Sequence, residues 1–207
     1  MTQSFSKGVK AIVLSMTLMY LSLALTGCQQ NVVYQRSMAE LNEKAQALMA
    51  AGDIDGAVSR LEAAHDLQPD EPNTTYNLAI AYQTQGSYDK AIPLLKQLVE
   101  KSQLDKAQVQ KTLGITYEAK ADQLAFKVSE AESDPKADKA KIPQMKAEAQ
   151  EAYELAIESY QQAMPGLKNA AEVEKQIEAL QARLKKSQTP AEASNPGSAA
   201  ANPQESP

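Results

Sequence analysis

The side chains that could do chemistry are few. Cys28 is the only thiol and His65 the only imidazole of the chain. A nucleophile or general base works as one member of a set, in which other groups orient and activate it, and the sequence offers no such set. Nor does it hold a glycine-rich phosphate loop. His65 falls near the end of an apolar-periodic segment, where a surface or helix-terminus role fits better than general-base work. Asp53-Ile54-Asp55-Gly56, with Glu62 downstream, follows part of a twelve-residue calcium loop, including its glycine and final glutamate. It fails at its start, where Ala51 stands in place of the first aspartate ligand. Asn73-Thr74-Thr75 fits a glycosylation sequon but reads more simply as the start of a helix. Catalysis, cofactors and metals are therefore not expected.

What precedes Cys28 gives the thiol a use. Lys7 and Lys10 stand before an apolar run from Ala11 to Thr26 that contains no acid, the layout of a secretory signal. The run is about 16 residues, short of the roughly 20 that a spanning helix needs, which favours a cleaved segment over residues 1–27. Leu25-Thr26-Gly27-Cys28 resembles the lipobox of bacterial lipoproteins, in which small residues admit the peptidase before a cysteine that has received a diacylglycerol. The resemblance implies covalent lipid on Cys28, with residues 28–36 as a short tether to the membrane. In such lipoproteins of double-membrane bacteria, aspartate after the cysteine tends to retain the protein at the inner membrane. Gln29 stands there instead, so the outer membrane, periplasmic face, is implied, or the cell membrane in a single-membrane host. An ordinary signal peptide or an uncleaved anchor with an incidental cysteine is the alternative. The lack of any other cysteine agrees with a thiol spent on lipid.

Without residues 1–27 the chain has 180 residues and 26 acids against 19 bases, a formal charge of −7. That balance disfavours nucleic acid as a partner and broad adhesion to anionic lipid. Ala, Gln, Glu, Leu and Lys dominate, tryptophan is absent and only two phenylalanines occur, a composition that predicts an all-α domain. From about Ser187 the tail holds four of the ten prolines and no large apolar residue. It buries too little to offset the entropy of ordering, so residues 188–207 are expected to be disordered.

The body of the chain repeats. Gly52-Asp53-Ile54-Asp55-Gly56-Ala57 recurs as Gly86-Ser87-Tyr88-Asp89-Lys90-Ala91, an offset of 34 residues, and Ala45 pairs with Ala79, Leu48 with Tyr82 and Leu61 with Leu95. This pattern resembles the tetratricopeptide repeat, a helix-turn-helix unit with small residues where its helices cross and a proline at its exit. Ala64 and Pro69 fit the first copy, whereas Leu98 and Gln103 depart from it in the second. Ser37-Met38-Ala39-Glu40 has capping-box form, and Asp105 to Gln108 has similar spacing where a third copy should open. Gly52 and Gly86 should close the first helix of each hairpin. The same turn accounts for the calcium-like residues.

Leu113-Gly114-Ile115-Thr116-Tyr117 matches the first helix of a third copy, but its second helix, marked by Tyr153, Ala156, Tyr160 and Ala163, comes about 30 residues late. Tyr117, Ala121, Leu124, Val128 and Ala131 continue one apolar stripe, and Ile142, Met145, Ala149, Ala152 and Ala156 form another. Two lengthened helices folding back through Ser133-Asp134-Pro135 are expected, each arm gaining about 15 residues or roughly 22 Å. The high charge of the segment leaves a disordered insertion as the alternative. Asn169 and Glu172 then open a helix with Val173, Ile177, Leu180 and Leu184 at helical intervals, suited to covering the last repeat; a dimerising coiled coil is the rival reading. The expected architecture is a solenoid of about three repeats, near 38–71, 72–105 and 106–166 with an insertion at 121–150, closed by a capping helix at 169–187 within one domain spanning 37–187.

In the family resembled, the first helices of successive repeats line a concave groove, and residues just beyond the small packing residue face into it. That implies a partner site at Gln46, Met49, Tyr76, Ile80, Gln83, Lys111, Ile115 and Glu118. The basic and asparagine residues that clamp a peptide's terminal carboxylate in chaperone-binding members are not matched as a set, so an apolar protein or peptide segment is expected. Packing of the two isoleucines between repeats is the competing reading. The implied role is a membrane-anchored periplasmic adaptor that assembles or localises an envelope complex. A regulatory subunit of an envelope enzyme and a structural spacer are the alternatives.

Overall fold

The computed structural model describes residues 38–188. The Cys28 segment, the cap expected at Ser37 and the tail from residue 189 lie outside the described residues. Within them every regular element is helical: α1 at 38–50, α2 Ile54–Leu67, α3 Pro72–Gln85, α4 Tyr88–Lys101, α5 Lys106–Ser133, α6 Ile142–Ala163 and α7 Ala170–Gln188, with single 3-10 turns at Lys139–Lys141 and Met164–Gly166. Their contacts divide after Ser102 into two compact units where one domain was expected.

The first unit holds two hairpins, and the 34-residue period reaches down to individual hydrogen bonds. Gly52 and Gly86 take φ of 81° and 80°, a left-handed conformation costly to residues with a Cβ. Gly52 N donates to Met49 O at 3.1 Å and Asp53 N to Leu48 O at 2.9 Å. Gly86 N and Ser87 N repeat this on Gln83 O and Tyr82 O at 3.0 and 2.8 Å. These bonds satisfy the carbonyls orphaned at a helix end. Asp53 then caps α2, its Oδ1 accepting from Gly56 N at 2.9 Å, whereas Ser87 makes no side-chain cap on α4. A Cβ on Gly56 would overlap the Asp53 carboxylate, which explains glycine in the first turn and Lys90 in the second.

Ala45, Ala57, Ala79 and Ala91 are fully buried, as the close helix approach requires, and Leu61 and Leu95 are almost so. Emptying either leucine site would cost about 2–5 kcal/mol. Thr74 and Thr75 are buried at the start of α3, which absorbs the sequon-like triplet into a helix. Thr74 Oγ1 accepts from Asn42 Nδ2 at 2.9 Å, and Asn42 Oδ1 accepts from Asn77 Nδ2 at 3.2 Å, so one amide ties the first helices of the two hairpins together.

In the second unit α5 runs 28 residues and α6 22, against 14 each for α2, α3 and α4. The insertion is thus a helical hairpin, but its arms are unequal. α6 gains less than the expected 15 residues, because 134–141 is spent on a turn rather than on helix. Asp134 and Asp138 cap successive bends through Lys136 N and Ala140 N, and Lys139 Nζ donates to the carbonyls of Ala131 and Glu132 at the end of α5. Tyr117, Ala121 and Val128 of α5 and Ala149, Ala152 and Ala156 of α6 are buried as the two stripes require; Leu124, Ala131 and Met145 are partly buried. Asp105 caps α5, accepting from Ala107 N and Gln108 N. Val173, Ile177 and Leu180 bury one face of α7 while its other face stays polar and exposed, the form of a terminal cap. At its start the Asn169 amide donates to the Glu172 carboxylate at 2.9 Å, a side-chain pair instead of the reciprocal capping box.

Candidate partner-binding surface

Among the described residues, the polar side chains capable of chemistry are used in holding the fold. Asp53 caps α2, Asp55 accepts from Gln85 Nε2 at 2.6 Å, and Glu62 accepts from the Tyr82 hydroxyl. The calcium-like loop therefore has its oxygens turned to different neighbours, and among the described residues no group of three or more potential ligands converges. His65 Nδ1 lies 3.3 Å from Thr75 Oγ1, a bond between the end of α2 and the start of α3. Glu71 caps α3. Burial works against its ionisation, but hydrogen bonds from Thr74 and Asn73 outweigh it and lower the carboxyl pKa.

The residues expected to meet a partner are distributed over the two units. On the first, Gln46 of α1 is exposed, and Tyr76, Ile80 and Gln83 of α3 are half-buried. Met49 differs from Gln46, since it packs against the core formed by Ala45, Leu61 and Leu78. Ala79, immediately before Ile80, is fully buried. On the second unit Lys111 is half-buried, and Ile115, next to the buried Gly114, is 40% exposed. In both helices, then, the small residue enters the packing, while the isoleucine after it is half-buried at 80 and exposed at 115.

Glu118 departs from expectation. Its carboxylate accepts from the Tyr160 hydroxyl at 2.9 Å, from Gln176 Nε2 and from Arg183 Nη1 at 3.4 Å. One turn on, Asp122 accepts from the Tyr153 hydroxyl at 2.6 Å and from Arg183 at 3.2 Å. Glu118 is taken up inside the unit: the buried Tyr160 of α6 needs an acceptor for its hydroxyl, and Gln176 and Arg183 of α7 add their own hydrogen bonds to the same carboxylate. Burial, and then the Asp122 hydrogen bond, push the Tyr153 hydroxyl up to about 12, with Arg183 pulling the other way. Tyr160 is raised further by burial and the Glu118 charge, and Tyr82 by burial and Glu62.

Two contributors escaped the sequence reading. Arg183 lies in a segment read only for its apolar spacing. Phe126 is 64% exposed on the lengthened part of α5; the signal for it was a phenylalanine off the apolar stripe, in a chain with only two. Among the described residues no helix is long and apolar enough to cross a membrane.

No curated protein matches the sequence. The crystal structure of the Sgt2 TPR domain from Aspergillus fumigatus superposes with a TM-score of 0.47 at 19% identity, over 79% of this chain and 91% of that one. Residues 48–114, from the end of α1 into the first turns of α5, match the family profile of the tetratricopeptide repeat, and over that span the chain is similar to that family.

Proposed function

We propose that this chain is a lipid-tethered scaffold that captures an apolar segment of another protein on the periplasmic face of the outer membrane, in the service of an envelope complex. The observation that carries the capture step is the placement of Tyr76 and Ile80 on α3 of the first unit. Ile80 follows the buried Ala79 yet is itself only half-buried, and Tyr76, one turn before it, is half-buried too, so the two leave adjoining apolar surface on one helix. The tetratricopeptide match over residues 48–114 supports a binding role over catalysis. The tether rests on the Leu25-to-Cys28 sequence and on Cys28 being the only cysteine.

The test has two separate arms. In cells fed a labelled fatty acid, the chain should take up label in the membrane fraction, and Cys28→Ala should lose both label and membrane association; an unmodified Cys28 thiol on a soluble form overturns the tether. For capture, a photo-crosslinking side chain at Gln83 should give a discrete adduct in native membranes. Replacing Tyr76 and Ile80 with polar residues should abolish it while the melting temperature stays within a few degrees. A large loss of stability instead, on the scale of the roughly 2–5 kcal/mol of an emptied core site, would show these residues to be core and overturn the surface.

A further inference from the structure

The capping helix α7 is the most lightly held helix of the second unit. Val173, Ile177 and Leu180 are its buried residues; beyond them Leu184 is half-buried and the rest of its C-terminal part is exposed. α7 packs along α6 and on the turn Met164–Gly166, and it reaches α5 through the side chains of Gln176 and Arg183. At its last turn lies a cavity of about 410 Å³, walled by Ala125, Val128, Ala149 and Tyr153 of the hairpin and by Ser187 and Gln188 of α7. One part of α7 therefore sits on core, and its end borders a gap.

What holds that end is polar. Arg183 Nη1 lies 3.4 Å from Glu118 Oε1 and 3.2 Å from both carboxylate oxygens of Asp122, and Gln150 Nε2 donates to the carbonyl and hydroxyl of Ser187 at 3.3 Å. The Arg183 side chain is 48% exposed, and an ion pair open to water is weak and screened by salt. Without α7 each carboxylate keeps a donor, Glu118 the Tyr160 hydroxyl and Asp122 that of Tyr153. Lifting α7 thus strips neither tyrosine of its acceptor, and the penalty of an orphaned buried polar group does not arise. The hairpin meanwhile has its own packing, since α5 and α6 run against each other. A pivot is also in place. Gly166 is seated on the start of α5, where an added Cβ would lie 2.5 Å from the Ala107 Cβ, and residues 167–169, with Lys168 and Asn169 exposed, lead from it into α7.

We infer that α7 is the built-in occupant of a helix-binding seat on the α5–α6 hairpin: a strap, latched by Arg183, that lifts about 167–169 while the hairpin stays folded, and whose place a helix of another protein takes. Elements that open at low cost are those drawn on for binding and switching, and an amphipathic helix laid on an apolar seat is a recurring mode of recognition. α7 itself gives the chemistry of the partner. It is a helix with apolar residues at the spacing of Val173, Ile177 and Leu180, an amide at the place of Gln176 and an arginine at that of Arg183. The seat belongs to the second unit, so it stands or falls apart from capture by Tyr76 and Ile80 and apart from the tether.

The experiment uses the full chain as parent, as Arg183→Glu and as Arg183→Lys. In native-state amide exchange the parent should open α7 roughly tenfold more often than α6 over 149–160. Arg183→Glu sets a third carboxylate beside Glu118 and Asp122 and should speed α7 exchange further, on the order of tenfold, with 149–160 unchanged. Arg183→Lys should restore most of the protection. A labelled peptide of residues 168–188 serves as the outside helix. It should bind Arg183→Glu about tenfold more tightly than the parent, in which the native α7 holds the seat at high effective concentration. Joint loss of protection in α7 and α6 would show α7 to be an integral wall of the core and overturn the strap. So would an Arg183→Glu chain whose α7 exchanges as in the parent, or a peptide that binds neither form.

Discussion

A Cβ placed on Gly114 would lie 2.8 Å from Cδ1 of Tyr160. The missing side chain on α5 is thus the seat of an aromatic ring on α6, and the same ring's hydroxyl is fixed on Glu118 one turn further along. The ring cannot slide away without giving up that bond. Gly114→Ala should therefore destabilise the second unit by about 1–3 kcal/mol of overpacking, even though alanine raises helix propensity by up to about 1 kcal/mol. Chemical denaturation would measure the net loss. A stabilised Gly114→Ala would show that the ring is not held where the hydrogen bond places it.

The tyrosine hydroxyls make the fold sensitive to alkali. Tyr153 is raised from 10.0 to about 12, so its protonated form is favoured in the folded state. Its contribution is fully present below pH 10 and is lost as pH rises through about 12. Melting temperature should fall across that window. Tyr153→Phe should flatten the fall relative to the parent while lowering stability at neutral pH, since Asp122 loses a donor. Parallel thermal melts of parent and variant between pH 8 and 12 isolate this term from the titration of lysines; identical slopes would count against it.

The two left-handed turns should respond alike. Gly52→Ala and Gly86→Ala each force a Cβ into φ near +80°, at about 1–2 kcal/mol. At Gly52 an added Cβ meets nothing within 4 Å, so the cost there is purely conformational. Asparagine, which tolerates this region better, should recover part of it. Equal stability of the alanine and asparagine variants would argue against a conformational origin.

Amide exchange should map the hairpin. Strong protection is expected through 120–130 and 146–163, with fast exchange confined to 134–141, where the backbone is held by aspartate and lysine side chains. Rapid exchange throughout 121–149 would mean a segment that is not helical in solution.

Residue order alone determined a good deal here. The 34-residue offset of Gly52 and Gly86, with alanines at matching places, specifies helical hairpins by itself, because a left-handed turn and a close helix crossing each admit few residue types. The stripes at Tyr117, Ala121, Val128 and at Ile142, Ala149, Ala152 likewise marked both arms of the inserted hairpin, since helical periodicity is local. Where the second arm begins was not legible. The choice between helix and turn at 134–141 depends on Lys139 reaching the carbonyls of Ala131 and Glu132, and only the folded hairpin brings those groups together. Glu118 illustrates the same limit: its place on α5 follows from spacing, but whether its carboxylate meets a partner or the cap helix depends on Tyr160, Gln176 and Arg183, 42 to 65 residues away. Ile115 and Phe126 are apolar in the sequence like any core residue, and only the packing of α5 against its neighbours left them outside, because a helix can bury just the faces that other elements reach.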